Sequence, residues 1–179
     1  MRIIAGDFKG RRLKAPTWEG LRPTSDKLRE TLFNIVSARV PGARVLDVFA
    51  GTGAIGLESL SRGAATAVFI ESDRRACALI VTNAELCRAQ DRCIIVGDTA
   101  QRALQQELSG EPFDVIVLDP PYDFEPVALV LSAAAAHMTP NGVIVLEHAR
   151  RRGVPDAAGL HAVRTVPSGD SALTFFEAP

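Results

Sequence analysis

Residues 44–60 read RVLDVFAGTGAIGLESL. The stretch starts with a mainly apolar run that suits a buried strand, and three glycines follow it, Gly51, Gly53 and Gly56. The glycines let the backbone turn tightly and pass close to a ligand, and the residues after them have helical spacing. A strand that leads through such a turn into a helix is typical of α/β folds that bind nucleotides at the helix N-terminus.

The same alternation of strands and helices continues through the rest of the chain. Buried-strand patterns cover 44–49, 66–71, 92–97, 113–118, 142–147, 161–166 and 171–177, and helical patterns lie near 54–62, 73–89, 99–109 and 124–138. We also predict a turn at 140–142 and a hairpin at 167–170 that adds an antiparallel edge. The chain is therefore predicted to fold as a doubly wound, mostly parallel α/β sheet.

Residues 1–23 have a different character from the rest of the chain. Glycines and prolines interrupt short apolar runs there, which predicts a β-hairpin or extended arm with its turn near residues 7–10. We expect this arm to precede a single domain over residues 24–179. Thr24 is predicted to cap the first helix of that domain.

Positive charge is concentrated at the start of the chain. Residues 1–31 carry eight basic and four acidic side chains, although the whole chain has a net charge of −1. A positive arm on an acidic domain suits contacts with the phosphates of a nucleic acid, and a solvated basic face would give the same pattern. The basic residues that we predict to bind RNA are Lys9, Arg11, Arg12, Lys14 and Lys27.

The glycine pattern fits two classes of cofactor. Gly51-x-Gly53-x-x-Gly56 satisfies the dinucleotide fingerprint, so by itself it does not separate NAD from S-adenosylmethionine. Asp47 stands just before the turn, where a carboxylate suits a ligand with a cationic amino-acid group and repels the pyrophosphate of NAD. We therefore predict a site for S-adenosylmethionine that includes Asp47, Gly51, Thr52 and Gly53.

Two further acids follow the next two strands. Glu71 lies 18 positions after Gly53, close to the offset of about 20 residues at which an acid binds ribose hydroxyls. Asp98 ends the third strand, where it is placed to accept a hydrogen bond from an adenine amino group or to cap the following helix. We predict that both contact the cofactor.

The fourth strand ends in Asp119-Pro120-Pro121-Tyr122. An exocyclic amine on a base is a poor nucleophile, because its lone pair is delocalised into the ring. Asp119 and the carbonyl of Pro120 can each accept one amine hydrogen, the prolines stiffen the loop, and Tyr122 offers a surface for stacking a base. We predict that these four residues form a catalytic loop that aligns the nitrogen for in-line methyl transfer.

Composition limits the class of protein. A length of 179 residues fits one sizeable domain, and a hydrophobic content of 47% supports a core. No apolar run reaches the roughly 18 residues of a membrane helix, and residues 1–10 lack the apolar segment of a signal peptide, so we expect a cytoplasmic protein. The three cysteines and three histidines show no ligand spacing, so no metal is predicted.

Several stretches together resemble a known family. VLDVFAGTGAIGLESLSRGA, FIESD and FDVIVLDPPY resemble class I methyltransferases of the Asn/Asp-Pro-Pro-Tyr/Phe group. RIIAGDFKGRRLKAP followed by RPTSDKLRETLFNIV is similar to the RsmD family of 16S rRNA guanine-N2 methyltransferases. The resemblance runs from residue 2 to about residue 176, and only the tail, SGDSALTFFEAP, matches loosely.

The resemblance implies more than the residues do alone. It implies a seven-stranded, Rossmann-like sheet, an N-terminal hairpin that holds ribosomal RNA, and action on the N2 amino group of a guanine in an assembling 30S subunit. It also implies that a segment containing Arg22, Pro23 and Thr24 closes over the cofactor. We expect a monomer.

Three other functions are weighed against this one. The Asp-Pro-Pro-Tyr loop also serves DNA adenine-N6 methyltransferases, but those enzymes usually carry a sizeable target-recognition domain, for which 179 residues leave no room. A non-catalytic RNA-binding assembly factor on the same fold is the second alternative, and the intact Asp47 and Asp119 motifs argue against it. An NAD oxidoreductase is a remote third.

Overall fold

A mixed β-sheet forms the centre of the molecule. The computed structural model describes residues 1–18, 25–106, 108 and 110–179. The strands found there are β1 (Arg44–Val48), β2 (Thr66–Ile70), β3 (Cys93–Val96), β4 (Phe113–Leu118), β5 (Met138–Ala149), β6 (His161–Ser168) and β7 (Ser171–Glu177). Their order is β3-β2-β1-β4-β5-β7-β6, and β7 is antiparallel to both of its neighbours. The predicted doubly wound, mostly parallel seven-stranded sheet is confirmed.

Helices cover both faces of this sheet. They are α1 (Asp26–Val36), α2 (Ala54–Ser61), α3 (Arg74–Cys87), α4 (Ala100–Gln105) and α5 (Val127–Ala135), with short 3-10 turns at Ser37–Arg39, Gln90–Arg92 and Arg150–Arg152. Side chains of α1, α2 and α3 pack on one face, which we call the α1–α3 face, and those of α4 and α5 pack on the other. None of the helices in the described part of the chain is long and apolar enough to cross a membrane.

Strand residues alternate between these two cores. On β4, Val115 and Val117 belong to the core of the α1–α3 face, whereas Ile116 and Leu118 belong to the opposite core. The same alternation holds on β1, β2 and β5, because successive side chains of a strand point to opposite faces. Strands buried on both faces explain the nearly continuous Val, Ile and Leu content of the sequence.

The N-terminal arm is packed against the domain. Ile3, Phe8 and Leu13 are buried in the core of the α1–α3 face. The backbone N–H groups of Ile4 and Ala5 donate to the carboxylate of Glu58 on α2, over 2.8 and 3.0 Å. These groups are therefore engaged with α2 rather than with a partner strand.

The predicted hairpin is consequently reduced to one bridge. The turn near residues 7–10 is present, with the N–H of Lys9 donating to the carbonyl of Gly6 over 3.1 Å. The two sides of the arm pair as strands only at an isolated antiparallel bridge between Arg2 and Arg12. The arm is a packed loop closed by that bridge.

Two helix caps differ from the prediction. The N-cap of α1 is Ser25, whose hydroxyl accepts from the N–H of Leu28 over 3.2 Å, and not Thr24, which lies outside the described residues. The N-cap of α4 is Thr99 and not Asp98. In both cases a hydroxyl residue in extended conformation stands next to the first helical residue, where its oxygen reaches the N–H three positions on.

Two element boundaries also differ. Helix α4 ends at Gln105, four residues before the predicted end, because Gln106 is extended with ψ 156°. Strand β5 already begins at Met138, so the predicted turn at 140–142 lies inside this strand. A register shift between the Phe113–Met138 and Val115–Val143 pairs absorbs the extra residues as a bulge. The hairpin predicted at 167–170 is confirmed as the turn between β6 and β7.

Candidate functional site

A cavity of about 740 Å³ opens at the carboxyl ends of β1, β2, β4 and β5. Its other walls are Trp18 of the arm, the start of α1 at Ser25 and Leu28, and the β6–β7 turn. A volume of several hundred Å³ is typical of a ligand site, and the strand ends are where open α/β sheets bind their ligands. This cavity is the candidate active site.

Four carboxylates enter the cavity from the same face of the sheet. Asp47, Glu71, Asp119 and Glu147 each line it. The residues two positions before them all belong to the core of the α1–α3 face, and they are Val45, Phe69, Val117 and Val145. Because strand side chains alternate with a period of two, the acids continue the same rows where the apolar core ends. The cavity is therefore rich in hydrogen-bond acceptors and suits a cationic or donor-bearing ligand.

The turn after β1, residues 49–53, is called the glycine loop. Gly53 has φ +75° and stands at the N-cap of α2, a conformation that favours glycine. Gly56 permits α2 to lie close to β2, since a Cβ on this residue would stand 2.2 Å from Cε1 of Phe69. The N–H of Gly56 donates to Oδ2 of Asp47 over 2.9 Å. Gly53 and Gly56 thus determine the shape of the loop and the position of α2. Gly51 and Thr52 line the cavity.

Asp47 is strongly perturbed by its surroundings. Its side chain is 1% exposed, and this burial raises the pKa of Asp47 from 3.8 to about 8. The hydrogen bond from Gly56 opposes the rise, and the charge of Glu71 adds to it. A carboxyl held in this way gains its charge readily when a cationic group binds beside it.

Glu71 supports the glycine loop as well as lining the cavity. Its Oε2 accepts from the N–H of Gly51 and its Oε1 accepts from the N–H of Asp73, each over 2.8 Å. A carboxylate has about four lone-pair positions, so two remain for ribose hydroxyls. The role predicted for Glu71 is compatible with these contacts.

The Asp119–Tyr122 loop is held at two points. The N–H of Asp119 donates to the carbonyl of Val48 over 3.3 Å, which carries the β1–β4 pairing one step beyond the strands. The hydroxyl of Tyr122 shares a hydrogen bond of 2.6 Å with that of Ser171 at the start of β7. Tyr122 is 37% exposed and lines the cavity, so its ring is anchored at the tip and accessible to a base.

A strained residue lies opposite this loop. Phe49 has φ +63°, a conformation that residues other than glycine rarely adopt, and it lines the cavity. Its ring meets that of Phe124 edge to face, with centroids 5.0 Å apart. This contact joins the glycine loop to the segment after Tyr122. Strain of this kind is concentrated at functional sites.

Sequence reasoning missed a cluster at the β2 side of the cavity. The guanidinium of Arg75 lies 4.9 Å from the ring centroid of Trp18, and it also bonds to the carboxylate of Asp73 over 2.6 Å. The hydrogen bonds from Arg75 lower the pKa of Asp73 to about 2. Trp18 and Arg75 are 57 positions apart, so only the fold brings them together.

Glu147 and the β6–β7 turn were also missed, although a signal for Glu147 was present. The predicted strand 142–147 ends at Glu147 just as the predicted strand 66–71 ends at Glu71, although β5 in the structure continues to Ala149. The residues that the turn contributes to the cavity are Ser168, Gly169, Asp170 and Ser171. They belong to the tail that matched the family only loosely.

Most of the predicted cofactor and catalytic residues meet in this cavity. The ones that line it are Asp47, Gly51, Thr52, Glu71, Asp119, Pro120, Pro121 and Tyr122. Gly53, the last residue of the glycine loop, is not part of the lining. Asp98 is outside the lining, where Oδ1 accepts from the N–H of Thr99 over 2.8 Å and Oδ2 lies 3.4 Å from Arg102. Arg22 and Thr24 fall outside the described residues.

The predicted RNA-binding residues lie outside the cavity. Lys9, Arg12, Lys14 and Lys27 are exposed. Arg11 is half-buried, with its guanidinium 5.5 Å from the ring centroid of Phe8 and a hydrogen bond to the carbonyl of Leu86. Within the described ranges, no group of three or more His, Cys, Asp or Glu residues is arranged to hold a metal ion.

Comparisons with known proteins agree with this architecture. The sequence model of the family described as Conserved hypothetical protein 95 matches residues 1–177. The chain is 43% identical over 122 residues to the Ribosomal RNA small subunit methyltransferase D of Escherichia coli (strain K12), and this alignment covers 68% of the chain and 60% of that relative.

Solved structures extend the likeness over nearly the whole chain. The structure of yhhF from Escherichia coli matches with a TM-score of 0.89 and 31% identity, covering 99% of this chain and 97% of that one. An O-methyltransferase from Bacillus cereus in complex with SAH matches with a TM-score of 0.71 and 16% identity, covering 88% and 84%. The second likeness shows the fold alone.

Proposed function

Because the chain belongs to the Conserved hypothetical protein 95 family, which is the RsmD family expected from the sequence, we propose that it methylates RNA of the small ribosomal subunit. The methyl donor is S-adenosylmethionine, and the acceptor is the N2 amino group of one guanine in 16S rRNA. The enzyme works as a monomer in the cytoplasm, on an assembling 30S particle.

One observation carries the proposal. The Asp119–Tyr122 loop lines the same cavity as Asp47 and Glu71. The strands lie in the order β2-β1-β4, so the strands that lead to Asp47 and Glu71 are on one side of β4, which leads into the loop. A cofactor over β1 and β2 and a base over β4 would therefore meet inside one cavity.

The carboxylates suit this cofactor. S-adenosylmethionine carries a sulfonium and an ammonium group, and when bound it supplies an electrophilic methyl group. Asp47 and Glu71 provide acceptors and negative charge on that side of the cavity. The same carboxylates would repel the phosphates of an anionic dinucleotide.

The protein residues act by alignment. The carboxylate of Asp119 and the carbonyl of Pro120 accept the two hydrogens of the amine, which turns its lone pair toward the methyl group. The ring of Tyr122 stacks on the base once the nucleotide has left its helix. The cofactor would supply the methyl group to this aligned nitrogen and leave as the neutral thioether, and the carboxylate of Asp119, which already accepts one amine hydrogen, would take up the proton that the methylated nitrogen releases. Strong general-base catalysis is not required, since the methylated amine is acidic.

The arm supports an RNA substrate. The charges of Lys9, Arg12 and Lys14 are exposed on a segment that also packs beside the domain. Such charges bind phosphates without reading a sequence, so the arm would hold the RNA while the cavity selects the base. A short arm gives few phosphate contacts, which favours a particle in which ribosomal proteins also take part.

Methyl transfer to defined substrates tests the proposal. Radiolabelled S-adenosylmethionine is offered separately to unmodified 30S subunits, free 16S rRNA and DNA, and the labelled nucleoside is identified. We expect N2-methylguanosine from the 30S sample. Label in DNA adenine would replace the proposal with adenine-N6 methylation. Cofactor binding without label in any sample would indicate a non-catalytic RNA-binding factor.

A further inference from the structure

Glu147 is a buried residue of the cavity wall, and one of its two carboxylate oxygens, Oε2, has no hydrogen-bond partner in the described part of the chain. It lies near the end of β5, lines the cavity and is only 8% exposed. In the described part of the chain, its Oε2 is inaccessible to water and accepts no hydrogen bond. Burying such an oxygen without a donor is costly, and native proteins rarely do so except where a ligand supplies the donor. Oε2 is closed off as the side chain now lies, so a ligand donor would pair with it only after the carboxylate turns toward the cavity that Glu147 lines.

The position of Glu147 identifies which ligand that is. Leu118 of β4 and Leu146 of β5 are register partners, and Asp119 and Glu147 are the residues that follow them. Neighbouring strands lie about 4.8 Å apart, so the side chains of the two acids stand side by side on the same face of the sheet. Glu71 lies on the other side of Asp119, beyond β1. Glu147 thus borders the half of the cavity that receives the methyl acceptor.

The chemistry of bases then suggests a specific partner. The Watson–Crick edge of guanine presents N1–H beside the N2 amine, so a donor lies next to the nitrogen that is methylated. In adenine, and in 2-aminopurine, N1 is an acceptor. A carboxylate accepts hydrogen bonds only, so it attracts the first arrangement and repels the other two. Asp119 and Glu147 together would cover the two neighbouring positions of the guanine edge.

We propose that Glu147 accepts the N1–H of the target guanine and thereby selects guanine over bases whose N1 is an acceptor. This role rests on the proposed function and deepens it, because it assigns base selection to a residue outside the Asp119–Tyr122 loop. Discrimination arises because a base without N1–H leaves the buried carboxylate unpaired and faces it with a lone pair.

A base analogue separates recognition from chemistry. 2-Aminopurine keeps the N2 amine and replaces the N1 donor with an acceptor. Small subunits are reconstituted with 16S rRNA that carries either guanine or 2-aminopurine at the methylated position, and kcat/KM is measured for both. We expect the wild-type protein to prefer guanine at least ~30-fold, as sites built around a hydrogen bond do. In Glu147→Gln the amide can donate to the acceptor N1, so this preference should fall at least ~10-fold.

The test compares kcat/KM for guanine with kcat/KM for 2-aminopurine, so an indirect effect that slows both substrates equally leaves this ratio unchanged. 2-Aminopurine also lacks O6, but the loss of O6 affects the kcat/KM ratio equally in the wild-type protein and in the variant. It therefore cancels when the two ratios are compared. Glu85→Gln is the matched control, because Glu85 is exposed on α3 outside the cavity and loses the same charge. Melting temperature and cofactor affinity are measured for all three proteins. We expect the cofactor affinity of both variants to stay close to the wild-type value, and the melting temperature of Glu147→Gln not to fall, because this variant removes a buried charge that lacks a donor.

The outcomes distinguish the two proposals. No transfer to guanine particles by the wild-type protein would overturn the proposed function itself. Transfer with an unchanged guanine preference in Glu147→Gln would overturn only the role of Glu147. A variant that loses cofactor affinity and keeps its base preference would place Glu147 at the cofactor, which also contradicts the proposal.

Discussion

The side-chain amide of Asn83 donates a hydrogen bond to the carbonyl of Thr52 over 3.0 Å. The same nitrogen donates to the carbonyl of Lys14 over 3.2 Å, and the amide oxygen accepts from the N–H of Lys14 over 2.8 Å. Asn83 is fully buried on α3. One side chain thus links the arm, through its backbone, to the glycine loop.

Replacing Asn83 should therefore weaken both the fold and the cofactor site. In Asn83→Ala, three backbone groups lose their partner, and we expect a loss of about 2–4 kcal/mol in the free energy of unfolding. Cofactor affinity should fall as well, because Thr52 is no longer held. Denaturant unfolding and calorimetric titration measure the two effects. Asn34→Ala, on the exposed side of α1, is the control, and equal effects in both variants would contradict the link.

Asp119 should be required for the rate and not for cofactor binding. Asp119→Ala removes the acceptor that orients the amine, and we expect kcat/KM to fall at least ~100-fold. The affinity for S-adenosylmethionine should change by less than about threefold, since the predicted cofactor acids lie on β1 and β2. Single-turnover methylation and equilibrium binding provide the readouts. Asp91→Ala, near the opposite end of β3, should behave as wild type, and unchanged activity in Asp119→Ala would remove its assigned role.

Asp47 should make stability depend on pH. Its pKa is raised in the folded protein from 3.8 to about 8, so the folded state binds more protons than the unfolded state between these values. Stability of the free protein should therefore fall as the pH rises from about 4 to about 8. Asp47→Asn does not titrate, so it should melt higher than wild type at about pH 8, with a smaller difference at about pH 5. A constant difference across this range would contradict the burial argument.

The raised pKa of Asp47 also predicts how cofactor affinity depends on pH. A bound ammonium favours the charged form of Asp47, so binding should release protons and tighten as the pH rises toward about 8. Calorimetric titration in buffers of different ionisation enthalpy counts those protons. Asp156→Asn, an exposed acid, should keep the wild-type proton release. Asp47→Asn should abolish it.

The arm should supply phosphate contacts. Lys9 and Arg12 are exposed, whereas Arg11 is partly used in packing against Phe8. In the double variant Lys9→Glu, Arg12→Glu we expect weaker binding to 16S rRNA and a shallower dependence of log K on log salt, by about 1 for each lost contact. Arg164→Glu on the edge strand β6 is the control. An unaltered salt slope in the double variant would argue that the arm does not touch the RNA.

The sequence predicted the sheet well because buried parallel strands leave a strong local signal. Apolar runs such as 113–118 have few alternative structures, and the helical patterns between them predict parallel strands. The ends of strands and helices were less predictable where contacts with another element determine them. The bulge in β5 at 140–142 depends on pairing with β4, and the reduction of the arm to one bridge depends on Glu58.

The candidate site was predictable where its residues follow strands. Asp47, Glu71 and Asp119 were found because each stands at a strand end next to a distinctive motif. Glu147 has no such motif beside it, and what singles it out is a buried oxygen without a donor among the described residues, which no sequence pattern reveals. The contact between Trp18 and Arg75 is a long-range packing event without a local signal.

The position of β7 has a consequence for synthesis of the protein. This strand follows β6 in the chain but lies between β5 and β6 in the sheet. A nascent chain translated only as far as β6 has no neighbour in the sheet onto which β6 can dock. The hydroxyl of Ser171, which anchors Tyr122, arrives with β7. Assembly of the catalytic pocket therefore waits until β7 has been translated, so a product that stalls or is truncated before β7 would lack the anchor for its own stacking residue.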